Sequence, residues 1–177
     1  MKMFLVHHIQ KHANKGSGHP NYLSSTTYEE FISELGKWVL KEIVGRVQNA
    51  KYFSVTVDST PNISHTDQLS VSVRYIENGI PVERFLTFLE NTGHTGQQQA
   101  TALLEFFDAV DINIANCCGQ SYHNAANMSG RYSGMQALII KENPLAIFVP
   151  CFAHSLNLVR ESAVGSCRSA VAIFGIC

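Results

Sequence analysis

The chain has 177 residues, enough for one domain with a real core and too few for two ordinary ones. With 45% hydrophobic and 15% charged residues, it has the composition of a soluble globular protein, which excludes a disordered polyelectrolyte. A formal net charge of −1 excludes a global polycation, so contact with nucleic acid has to run through a local patch or a metal.

The chain opens with MKMFLVHHIQK, whose four-residue apolar run is too short for a signal-peptide core. No run approaches the length of a membrane span. Residues 1–25 read as a polar leader or linker, because QKHANKGSGHPNYLSS is rich in Gly, Ser and Asn. A solvated leader is the preferred reading of its weak basicity over a DNA-binding arm. Residues 26–50 follow as an amphipathic helix packing on the core. Thr26 and Glu29 have capping-box spacing, and Phe31, Leu35, Trp38, Val39 and Ile43 recur at helical intervals.

Residues 51–165 hold the main domain. KYFSVTVD alternates as a strand, with Phe53, Val55 and Val57 on one face and Asp58 at its end. In QLSVSVRYI, Leu69, Val71, Val73 and Tyr75 share a face. Asn78-Gly79 is a strong hairpin signal, and PVERFLTFLE is the returning strand. A turn at Gly93–Gly96 leads into a helix, QQQATALLEFFDAV, with Leu103, Phe106, Phe107 and Val110 inward. INIANCC reads as a fourth strand, closed by Cys117 and Cys118 as small buried hydrophobes. The stretch from Gly119 begins as a loop and runs into a helix. AIFVPC is a fifth strand closed by Cys151, and AHSLNLVRESAV is a helix. Residues 166–177 are a tail. The fold class expected is α/β: a mixed sheet of three antiparallel strands, then alternating helix and strand, with flanking helices.

The five cysteines, Cys117, Cys118, Cys151, Cys167 and Cys177, show no C-x-x-C spacing, which argues against a zinc ribbon. Free thiols in a reducing, intracellular compartment are expected, leaving the sequons at Asn62 and Asn127 idle. In open α/β sheets, sites lie beyond the carboxyl ends of strands. Asp58 at such an end either ligates a hard divalent cation or forms an Asx-turn ahead of Pro61. His65 and Asp67 have no nucleophile in a known arrangement and read as turn residues, and GHTG is likewise a turn. Asn124 and Asn127 are expected to bond the loop and cap the helix after it.

The blocks YLSSTTYEEF, AKYFSVTVDSTPNISHTDQLSVSVRY, PVERFL, GHTG, GQSYHNAANMSGRYSGMQA and NPLAIFVPCFAHSLNLV cover nearly the whole chain from Tyr22 to Val159. Together they resemble hAT-type transposases, in the branch of transposon-derived proteins related to zinc-finger MYM-type protein 1. The resemblance implies an RNase H-like fold and an acidic triad that binds two metal ions, Mg²⁺ or Mn²⁺, and cuts DNA. It places the first acid at Asp58. The second belongs in a motif that here reads Tyr122, His123, Asn124, Ala125, Ala126, Asn127 and Met128, so His123 stands where the family has an acid. The third is a Glu on a later helix, before which this chain is expected to be truncated.

Losing a negative charge at His123 weakens a Mg²⁺ site, and an imidazole suits Zn²⁺ or Mn²⁺ better. His123 is either such a ligand or a polar loop residue left after a lost function. Cys151 and His154 form C-x-x-H, two of the four ligands a structural zinc needs. His154 either faces the cleft beside Asp58 and Asn124 or serves the core. The expectation is a transposase-derived domain that is catalytically incomplete as this chain, with weak or no metal binding. The alternative is a domesticated, non-catalytic module that binds protein or nucleic acid; a non-functional fragment is a third. Expected partners are DNA, by resemblance to the family, other proteins, or a second copy through an uncovered last helix and tail, without a membrane. The expected location is nuclear.

Overall fold

Alternation of apolar and polar residues in three consecutive segments builds the centre of the molecule. The computed structural model describes residues 25–61, 67–90, 92–122 and 125–165. Its elements are α1 (Ser25–Ala50), β1 (Phe53–Pro61), β2 (Asp67–Glu77), β3 (Ile80–Glu90), α2 (Gly96–Ala109), β4 (Cys117–Tyr122), α3 (Ala126–Ser129), α4 (Met135–Glu142), β5 (Ile147–Phe148) and α5 (Phe152–Gly165). The strands form one mixed sheet in the order β3-β2-β1-β4-β5. β1 and β3 are antiparallel to β2, whereas β1, β4 and β5 run parallel. The mixed α/β class expected from the sequence is the one observed.

Period two sends every second side chain of a strand to the same side. Phe53, Val55, Val57, Leu69, Val71, Val73 and Tyr75 are accordingly all buried. Each such Val or Leu contributes roughly 1.5–3 kcal/mol relative to exposure. α2 packs here through buried Leu103 and Phe107, whose ring meets Phe53 edge-on with centroids 5.8 Å apart. Phe106 and Val110, also expected inward, are half-buried. The other side of the sheet carries exposed Thr56, Asp58, Arg74, Phe85 and Phe88. The β2–β3 turn has φ of 52° at Asn78 and 78° at Gly79, the two positive values a tight hairpin requires.

The chain divides into two units, Met1–Glu42 and Ile43–Cys177, and α1 contributes residues to both. In the second unit, Val44 and Val47 are buried, and Gln48 Nε2 donates to the Asp111 carbonyl at 2.8 Å. In the first, Phe31, Leu35, Trp38 and Val39 are exposed. The helix already includes Ser25, so Thr26 lies inside it rather than ahead of it. Residues 1–24 and 166–177, with Asn62 and His65, lie outside the described residues. Asp67, expected in a turn, opens β2.

The fourth and fifth strands differ from expectation. Ile114–Asn116 is a 3-10 turn, and β4 starts at Cys117, so Cys117 and Cys118 open the strand rather than close it. Asn113 is the cause, since its side chain accepts from Ala115 N at 2.9 Å and closes a turn where flanking isoleucines imitate a strand. Asn143 Nδ2 holds that turn by donating to the carbonyls of Ile114 at 2.8 Å and Cys117 at 2.7 Å. Gly119–Tyr122, expected as loop, is therefore strand. β5 is only Ile147–Phe148, so Cys151 lies beyond its end.

Candidate functional site at the carboxyl ends of the parallel strands

β1 has different partners along its length. Beside β4 the described register runs up to Val57↔Tyr122. Beside β2 it continues through Asp58↔Ser70 to Pro61↔Asp67. Asp58 is therefore not the last residue of β1 but the first past its described pairing with β4. Its backbone is extended and its carbonyl accepts from Ser70 Oγ at 3.3 Å, so Asp58 does not cap a turn. The side chain is exposed on the side of the sheet shared with Thr56, away from buried Val57.

Parallel β1, β4 and β5 bring their carboxyl ends to one edge of the sheet. Tyr122 ends β4, and the next residues in the chain, His123 and Asn124, lie outside the described residues. Cys151 is half-buried, and its carbonyl accepts from both Ser155 N and Ser155 Oγ at 3.0 Å. Cys151 and His154 thus belong to one helix start, Cys151 just before α5 and His154 in its first turn. Among the described residues, no group of three or more His, Cys, Asp or Glu could hold a metal ion. Asp58 alone offers a divalent cation one exposed carboxylate, which does not fit a two-metal centre.

Two titratable groups of β4, Cys117 at its start and Tyr122 at its end, are shifted by burial. Burial pushes the Cys117 thiol up to about 11, and its Sγ donates to the Gly119 carbonyl at 3.2 Å. Burial, then the nearby Cys117, pushes the Tyr122 hydroxyl well above its ordinary value. The Tyr122 hydroxyl has no hydrogen-bond partner among the described residues. Both groups stay protonated near neutral pH.

What the sequence reading missed is the framework behind this edge. Asn127 does not cap α3, whose N-cap is Ala125; its Nδ2 donates to the His94 carbonyl at 3.0 Å. GHTG is a turn, with φ of 75° at Gly93, and also a docking point. Thr95 and Gln98 form the capping box of α2. Gly96 lies so close to the segment after β4 that a Cβ there would sit 2.5 Å from the Asn127 carbonyl oxygen. Buried Gln120 braces β4, its Nε2 donating to the Ala146 carbonyl at 2.8 Å and the Gln136 carbonyl at 3.3 Å. A cleft of about 640 Å³ opens among α3, α4, β5 and α5, with Arg131, Gln136, Phe148 and Ser155 in its lining.

The family model of the ZMYM1/FAM200 RNase-like domain, DUF4371, matches residues 6–134. The chain belongs to this family. That agrees with the resemblance to transposon-derived proteins of the zinc-finger MYM-type branch. The chain is also similar to the human "52 kDa repressor of the inhibitor of the protein kinase", with 20% identity over 138 residues, 77% of this chain and 18% of the relative. The mouse protein of that name shows 20% identity over 137 residues, with the same coverage. The chain thus spans less than a fifth of the length of these curated relatives. No helix among the described residues is long and apolar enough to cross a membrane.

Proposed function

We propose that this chain is the RNase-like scaffold of a hAT-type, transposase-derived protein that no longer cuts DNA by itself. Its ancestral chemistry is metal-dependent cleavage and strand transfer. The observation that carries the reading is the β1–β4 register. Val57 pairs with Tyr122 at the carboxyl ends, exposed Asp58 follows on β1, and the residue following Tyr122 in the sequence is His123 rather than an acid. Where Asp58 has an acidic neighbour, Mg²⁺ or Mn²⁺ supplies a polarising charge for phosphodiester hydrolysis. With an imidazole in place of the second acid, the remaining single carboxylate binds Mg²⁺ weakly.

The test is thermal unfolding with and without 1 mM-range Mn²⁺ or Mg²⁺, together with cleavage of labelled DNA. The expected result is no cleavage and little stabilisation in the parent, with stabilisation by Mn²⁺ appearing in His123→Asp and lost again with Asp58→Ala. Cleavage by the parent that depends on Asp58 would overturn the proposal.

A second reading draws on the name of the relatives, a repressor. In it the sheet serves as a nuclear binding module for protein or nucleic acid, and Asp58 has no metal role. A response to Mn²⁺ in His123→Asp favours the first reading. A partner bound equally by the parent and Asp58→Ala favours the second.

A further inference from the structure

The α1 segment in the first unit carries an apolar stripe independent of the Asp58 edge. Tyr28, Phe31, Leu35 and Trp38 follow 3-4-3 spacing, the repeat of a two-helix seam, and Ile32 and Val39 widen it. These six side chains are 48–66% exposed. The stripe is about 16 Å long at helical rise. Two such stripes packed together cover roughly 1,000 Å², about the area at which a specific interface becomes possible and the size of a weak, transient one.

The charges beside the stripe select the partner. Between Ser25 and Leu35 the only charged residues are Glu29, Glu30 and Glu34. Lys37 and Lys41 follow, with Glu42 as the one acid in the remainder of the first unit. We propose that this segment pairs with the same segment of a second copy of the chain, in antiparallel orientation. Antiparallel packing sets the glutamates of each copy against the lysines of the other and opposes the helix dipoles. Parallel packing sets like charges together. Exposed pairs of this kind choose orientation more than they add affinity, and Lys37 already bonds Glu34 of its own helix at 2.7 Å. The affinity therefore comes from the apolar stripe.

Sedimentation equilibrium of the full chain tests this, with circular dichroism as a check on folding. Trp38, the single tryptophan, reports burial by its emission. The expected result is a dimer whose Trp38 emission shifts red on dilution and which Leu35→Glu abolishes. Reversing the acids (Glu29→Lys, Glu30→Lys, Glu34→Lys) or the bases (Lys37→Glu, Lys41→Glu) should each weaken it roughly tenfold, and all five changes together should restore it. A parallel pair would not lose affinity in either reversal, because like still meets like. A monomer up to about 100 μM overturns the proposal. So does a dimer indifferent to Leu35→Glu, such as one held by exposed Phe152, Leu156 and Val159 of α5.

Discussion

Asp58 and Cys117, at opposite ends of the β1–β4 ladder, have opposite chemistry. Asp58 is exposed, while Cys117 is fully buried and its thiol raised by desolvation. The raised thiol has a consequence for stability. Below its ordinary 9.0 both folded and unfolded chains hold the proton, and the full contribution of the buried neutral thiol is present. Between 9.0 and about 11 only the unfolded chain loses it, so this contribution falls as pH rises. Urea unfolding across that range should show a shallower decline in Cys117→Ala than in the parent. Thiol labelling at pH 8, mapped by mass spectrometry, should modify exposed Cys118 well before Cys117, by at least roughly tenfold in rate. Equal rates would mean that Cys117 is not held in the core.

At the scale of elements, the edge near Asp58 depends on contacts between α2 and the segment after β4. Gly96 is the contact point. A Cβ there would stand 2.5 Å from the Asn127 carbonyl oxygen, 2.6 Å from that of Ser133 and 2.8 Å from Met135 N. All three are backbone atoms, so no side chain can swing aside. Gly96→Ala should destabilise the protein by about 2 kcal/mol, read as a lower urea midpoint with unchanged slope. In His123→Asp it should also reduce any stabilisation by Mn²⁺. A neutral Gly96→Ala would show that α2 and this segment separate without cost. Strand β4 illustrates a limit of periodicity. Ile112 and Ile114 alternate like a strand, but Asn113 and Asn143 bond their backbone into a turn, and the strand begins only at Cys117.

For the whole molecule, net charge and the two-unit division govern association. At −1, the chain has no global field to gather phosphates. Binding to duplex DNA of arbitrary sequence should be weaker than about 100 μM at physiological salt, measured by fluorescence anisotropy. Submicromolar binding would point to a strong local patch, for which Arg131 beside the 640 Å³ cleft is the place to begin mutagenesis. The relatives are several times longer than this chain, so the role their name gives belongs to a longer protein than this domain.

The sequence alone determined the mixed sheet, the Asn78-Gly79 hairpin and the buried faces of β1 and β2. Each depends on local periodicity or a dihedral requirement that neighbouring residues express by themselves. It also carried the family, through blocks spread along the chain, and set His123 directly after Tyr122. Tertiary structure decided what local pattern cannot hold. It continued β1 beyond Asp58 because β2 goes on pairing there, and it moved β4 downstream through side-chain bonds from Asn113 and distant Asn143. It also made Gly96 and Asn127 supports of the segment after β4, since close backbone approach arises only when separate elements meet.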